Sequence, residues 1–176
     1  MLDAGGLLGQ INSFDASVTE QLRLVGLVVL AVVLGALIGA EREFSHKSAG
    51  LRTHALVAAG SAVAVVVGQI IYQSAVADGE AGGDPARALH AVLTGIGFIG
   101  AGAIIRPHRR SVEGLTTAAS LWFAAAVGIA TGLGLLIVAI GSTVVGLGVL
   151  SLMRPVDRMV KRVFARIEGD PEPPPD

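Results

Sequence analysis

The residues of this sequence best suited to chemistry are acids and bases set beside long apolar stretches. They form three groups: Glu41, Arg42 and Glu43; Arg52, Thr53 and His54; and Asp84 with Arg87. Hard cations such as Mg²⁺ select carboxylate, carbonyl and water oxygens. Asp84 and Glu41 are therefore the candidate metal-binding acids, with no metal site assigned and no cofactor expected other than Mg²⁺ itself. Asp84-Pro85-Ala86-Arg87 also has a structural meaning, because Asp is a favoured N-cap and Pro a favoured first helical residue. Arg87 stands three residues beyond Asp84 and can pair with it. Glu41 and Glu43 close an apolar stretch, where acids oppose the helix dipole and call for a compensating cation such as Arg52, Arg109 or Arg110. Glu113, near a helix start, is favoured where it stands. Cysteine is absent, as are an HExxH pattern, a nucleophile triad and closely paired carboxylates. An enzyme is not expected.

A second set of residues concerns helix packing or a polar pathway. Gly95, Gly97, Gly100 and Gly102 imitate a dinucleotide fingerprint, but that motif needs a strand before it and a helix start within it. Here helix-compatible Leu89–Thr94 precedes it, so nucleotide binding is not expected. Glycines in a membrane helix let backbones approach, and Gly35-x-x-x-Gly39 and Gly128-x-x-x-Gly132 repeat that signal. The glycine density places the third apolar segment at the centre of a bundle. Polar or small residues also recur at helical spacing: His54, Ser61, Gly68 and Tyr72; Arg87, His90, Thr94, Gly97 and Ala101; Thr117, Ser120, Ala124 and Gly128. Lipid offers hydroxyls no partners, so these stripes should face one another. They read either as hydrogen-bonded glue between helices or as a narrow path for an ion.

The elements that must position these residues are membrane spans. Of 176 residues, 52% are hydrophobic and only 15% charged, where a soluble domain carries about 25%. Uncharged blocks run over Leu24–Ala40, Thr53–Ala77, Ala88–Ile105 and Gly114–Met153. A bilayer core of roughly 30 Å needs about 20 helical residues, so the last block holds two spans joined at Thr131-Gly132-Leu133-Gly134. The fold class is all-α: a polytopic bundle of five transmembrane helices, near 22–40, 53–75, 86–105, 115–131 and 134–153. Eleven of the 13 basic residues fall between spans 1 and 2, between spans 3 and 4, or after span 5. The positive-inside rule then puts the N-terminus outside and the C-terminus in the cytoplasm. Residues 1–21 lack a basic signal-peptide start and read as an external segment. Residues 154–168 alternate apolar and basic positions, as in an amphipathic helix lying on an anionic leaflet, and 169–176 read as a disordered Pro-rich acidic tail.

Read in order, certain motifs resemble a known family. They are Gly39-Ala-Glu41-Arg42-Glu43; Ala49-Gly50-Leu51-Arg52-Thr53-His54; Asp84-Pro85-x-Arg87; Gly95-Ile-Gly97-Phe98-Ile-Gly100-Ala101-Gly102; and Gly114-Leu115-Thr116-Thr117-Ala118-Ala119-Ser120-Leu121-Trp122. The set is similar to the MgtC/SapB family of bacterial inner-membrane proteins over about residues 22–153. That resemblance adds Thr116 and Trp122 to the packing or pathway residues. It implies a multi-pass protein of the bacterial inner membrane, tied to Mg²⁺ homeostasis, growth at low Mg²⁺ and, in pathogens, survival inside host cells. Two mechanisms follow from it: modulation of other membrane proteins, the F-type ATP synthase among them, or a small oligomeric channel or transporter for Mg²⁺ or another cation. Expected partners are the lipid bilayer, other membrane proteins and further copies of the chain, with no nucleic acid. The best-known members carry a folded cytoplasmic C-terminal domain, whereas about 23 residues follow span 5 here, so no role requiring that domain is expected.

Overall fold

The computed structural model describes residues 17–77, 79, 84, 86–104 and 114–168. It is built of five helices: α1 (Val18–Phe44), α2 (Leu51–Ala77), α3 (Arg87–Ile104), α4 (Leu115–Gly132) and α5 (Leu136–Glu168). All five are long and apolar enough to cross a membrane, and no strand occurs among the described residues. The chain is a multi-pass helical membrane protein. Residues 1–16 of the expected external segment 1–21, the tail 169–176, and Arg109, Arg110 and Glu113 lie outside the described residues.

Local sequence sets the helix ends. Ser17-Val18-Thr19-Glu20 has the spacing of a capping box, and the Ser17 hydroxyl accepts the Glu20 N–H at 3.3 Å. Two helices close with the same C-terminal motif. After α4, Gly134 adopts φ +75°, Leu135 N–H reaches the Ala130 carbonyl, and Gly134 N–H reaches that of Thr131. After α1, Lys47 N–H reaches the Arg42 carbonyl and His46 N–H that of Glu43. These are Schellman closures, which need a left-handed residue past the helix end. At Gly134 that conformation costs nothing, whereas His46 holds it at φ +52° with a side chain.

The packing turns on α2, against which both α1 and α4 close. A Cβ added at Gly35 would fall 2.5 Å from the His54 carbonyl oxygen, and one at Gly39 2.6 Å from Leu51 Cα. A Cβ at Gly128 would run into the Ala58 carbonyl oxygen, and one at Gly132 would fall 2.7 Å from that of Ala62. Both GxxxG pairs are therefore spent inside the chain, against the alanine-lined face of α2. These register points make α1 and α2 antiparallel and α2 and α4 parallel. Ala31, Ala58 and Ala62 form one buried cluster at the first seam. Leu34, Ile38, Ala124, Val127 and Ala139 join α1, α4 and α5 in another.

The central helix is α4, not α3. Among the described residues α4 touches every other helix, whereas α3 touches only α2 and α4. Ile96 and Gly100 are the buried residues of α3. A Cβ at Gly95, Gly97 or Gly102 would meet nothing within 4 Å, and one at Gly100 would make an ordinary 3.7 Å contact with Ala118. Glycine density marks where a backbone can be approached; it does not say that a neighbour is there.

The two glycine populations should behave oppositely. Gly128→Ala must displace the α2 backbone and should cost about 1–3 kcal/mol, as overpacking does. Gly97→Ala enters open space and should leave stability unchanged or slightly higher. Thermal unfolding of the purified variants in detergent checks this; equal effects would contradict the seam.

Candidate functional site

The motif residues gather where α1 turns into α2. The buried face of α1 recurs as Ala31, Leu34, Gly35, Ile38, Gly39 and Arg42, so the periodicity that packs the helix carries Arg42 inward. Arg42 is 2% exposed, and its Nε donates to Glu41 Oε2. The Ser45 hydroxyl donates to the Glu41 carbonyl at 2.6 Å and approaches its Oε1 at 3.3 Å. Glu43 turns the other way and accepts the Leu51 N–H at 2.9 Å through Oε2. Its carboxylate thus sits at the positive end of α2, where a negative charge is favoured. Gly50 leaves room for it, since a Cβ there would fall 2.6 Å from the same oxygen.

Of the cations expected to compensate the two acids at the end of α1, Arg109 and Arg110 lie outside the described residues, and the contacts seen among the described ones involve other groups. Arg42 answers Glu41, and the first N–H of α2 answers Glu43. Arg52 is exposed and makes no ion pair among the described residues. The spacing of Arg42 from Ile38 and Gly39 could have revealed its burial. The capping role of Glu43 carries no short-range signature, because its partner lies eight residues on.

One turn into α2, His54 is fully buried. Its Nδ1 lies 2.9 Å from the Gly50 carbonyl oxygen and its Nε2 3.0 Å from Ser120 Oγ on α4. A carbonyl only accepts, so Nδ1 must carry a proton. Ser120 Oγ also lies 2.8 Å from the Thr117 carbonyl oxygen, and its single proton can serve only one acceptor. With neutral His54 that proton turns to Nε2. With cationic His54, Nε2 donates to Oγ and the hydroxyl proton goes to Thr117. The geometry accommodates either protonation state by rotating one hydroxyl.

The remaining candidates are elsewhere. Asp84 is exposed beyond the far end of α2, and its Oδ1 accepts the Ala86 N–H at 2.9 Å, a capping contact just before α3. No ion pair joins it to Arg87 among the described residues. Arg87, His90, Thr94, Gly97 and Ala101 all lie on the exposed side of α3, and the Thr94 hydroxyl donates to its own helix at His90. Thr53, Thr116 and Trp122 are exposed, while Thr117 and Ser120 are buried. So the stripes of α2 and α4 meet at His54 and Ser120, and the stripe of α3 does not join them. Among the described residues no three His, Asp or Glu side chains converge on one point.

Residues 28–159 match the MgtC family. The chain belongs to the MgtC family. Protein MgtC of Brucella abortus is 43% identical over 131 residues, which is 74% of this chain and 51% of that protein. Protein MgtC of Salmonella choleraesuis is 38% identical over 143 residues, covering 81% of this chain and 58% of the relative. The protein named "Putative magnesium transporter YhiD" of Escherichia coli is 40% identical over 129 residues, 73% and 59% of the two chains. This MgtC-family chain thus spans half to three-fifths of the length of these relatives. No solved structure matches it. The family match runs from within α1 into α5 and so contains every residue of the turn cluster and of the His54–Ser120 contact.

Removing the Ser120 hydroxyl strands a buried imidazole nitrogen. Ser120→Ala should cost about 1–3 kcal/mol, and His54→Leu on top of it should cost less than it does alone. A double-mutant cycle on unfolding in detergent checks the coupling, expected at about 1 kcal/mol. Additive effects would contradict the contact.

Proposed function

We propose that this chain is a non-enzymatic protein of the bacterial cytoplasmic membrane that serves Mg²⁺ homeostasis at low Mg²⁺ by modulating other membrane proteins. The observation carrying the proposal is the closed α2–α4 seam. Buried Ser61 on α2 and Thr131 on α4 each donate to a carbonyl one turn back on their own helix, and Ala58 and Ala62 fill the space beside Gly128 and Gly132. Among the described residues such a seam gives a hydrated cation no chain of ligands to follow. The family supplies the link to Mg²⁺, since one relative's name concerns magnesium transport. The charged turn, with Arg52, Thr53 and Lys47 exposed around a buried Arg42, offers a fixed surface to another membrane protein, and the F-type ATP synthase is the first such partner to test.

A second reading is favoured by one observation. The exposed face of α3 carries Arg87, His90 and Thr94 close to exposed Asp84. Several copies grouped around α3 would bring these stripes together, and Mg²⁺, which keeps most of its water, would meet the Asp84 carboxylate as a hydrated ion.

Complementation separates the two. In a deletion strain starved of Mg²⁺, wild-type protein and Asp84→Asn should both restore growth, while Arg42→Met should not, at matched levels in the membrane. Rescue by Arg42→Met and failure of Asp84→Asn would overturn the modulator reading in favour of transport. No growth defect in the deletion strain would overturn both.

A further inference from the structure

Because α3 leans on α4 and meets α2 only lightly, a groove opens between α2 and α3. It encloses about 510 Å³ and is walled by Leu56, Gly60, Val92, Gly95 and Ile99, with Arg52 at its rim. The walls are mostly apolar, and among the described residues that line the groove the one charge, Arg52, stands next to the first residue of α2. Arg52 is exposed, with no hydrogen bond or ion pair among the described residues. The groove is thus greasy inside and cationic at its mouth. We propose that it holds one acyl chain of a phospholipid with a net negative headgroup, whose phosphate rests on Arg52.

The charge at the mouth selects this occupant over an apolar helix, which would leave Arg52 without a counter-charge, whereas a headgroup phosphate supplies one. Gly60 and Gly95 keep the groove open, since an added Cβ at each would meet nothing within 4 Å. The charge argument is specific to this groove. A second one, of about 390 Å³ at the far end of α2, has Arg87 at its rim but Asp84 beside it, and so presents no net charge.

The test uses the whole chain, purified in detergent, offered equal phosphatidylglycerol and phosphatidylcholine, and weighed with its bound lipid by native mass spectrometry. Wild type should retain one phosphatidylglycerol in preference. Arg52→Gln should lower that preference about fivefold, the worth of one basic residue against an anionic lipid. Lys47→Gln, an exposed charge outside the groove, should leave it unchanged. Gly60→Leu and Gly95→Leu should lower retention of both lipids, and an added Cβ at either position meets nothing within 4 Å. Equal retention of the two lipids by wild type would overturn the proposal, as would equal losses from Arg52→Gln and Lys47→Gln. Full retention by both filled variants would place the lipid elsewhere and overturn it as well.

Discussion

The closeness of α2 to its two neighbours is the constraint on which the rest of this structure depends. Gly35 and Gly39 bring the α1 backbone against α2, and Gly128 and Gly132 bring α4 against it, Ala58 being met from both. In lipid there is little hydrophobic gain from bringing helices together, so dispersion contacts between close backbones must supply it. Alanine at 58 and 62 is what the geometry permits on α2. Anything larger would part the seams, and α4, which holds α3 and α5 in place, would shift with them.

That closeness also decides how buried polar groups are satisfied. Thr131, Thr143 and Ser61 bond within their own helices, which glues nothing but leaves no hydroxyl bare in an apolar setting. The one buried side-chain hydrogen bond between helices among the described residues is His54 to Ser120. It lies one turn from the α1–α2 junction, where buried Arg42 pairs with the partly buried Glu41 and Glu43 caps α2. Charge is therefore concentrated at one end of the α1–α2–α4 core, and the seams beyond it are closed by small residues. The modulator proposal rests on this arrangement of the described residues, a charged turn above seams closed by small side chains.

Much of this is legible in the sequence. Uncharged blocks mark five spans, the Gly134 turn divides the last of them, and the ordered motifs point to the family. The two GxxxG pairs announce close approach, but nothing local says that both close on α2. The stripes containing His54 and Ser120 are readable by helical spacing, and they do meet. The stripe on α3 has the same spacing and faces away, because periodicity defines a face without naming its neighbour. Placing α3 at the centre fails for that reason: its glycines suggest a demand for partners, whereas the small residues of α4 at Ala124, Gly128 and Gly132 occupy the middle. Glu43 looks unfavourable in the sequence because its partner is the start of the next helix.

The exposed face of α3 leaves two ways for the molecule to work, as a fixed surface or as one wall of a path shared between copies. The modulator role rests on the closed α2–α4 seam. Its most direct test is Mg²⁺ influx into liposomes that contain a Mg²⁺-sensitive dye and correctly inserted protein. Influx should match that of protein-free liposomes; saturable influx that Asp84→Asn abolishes would contradict the modulator reading.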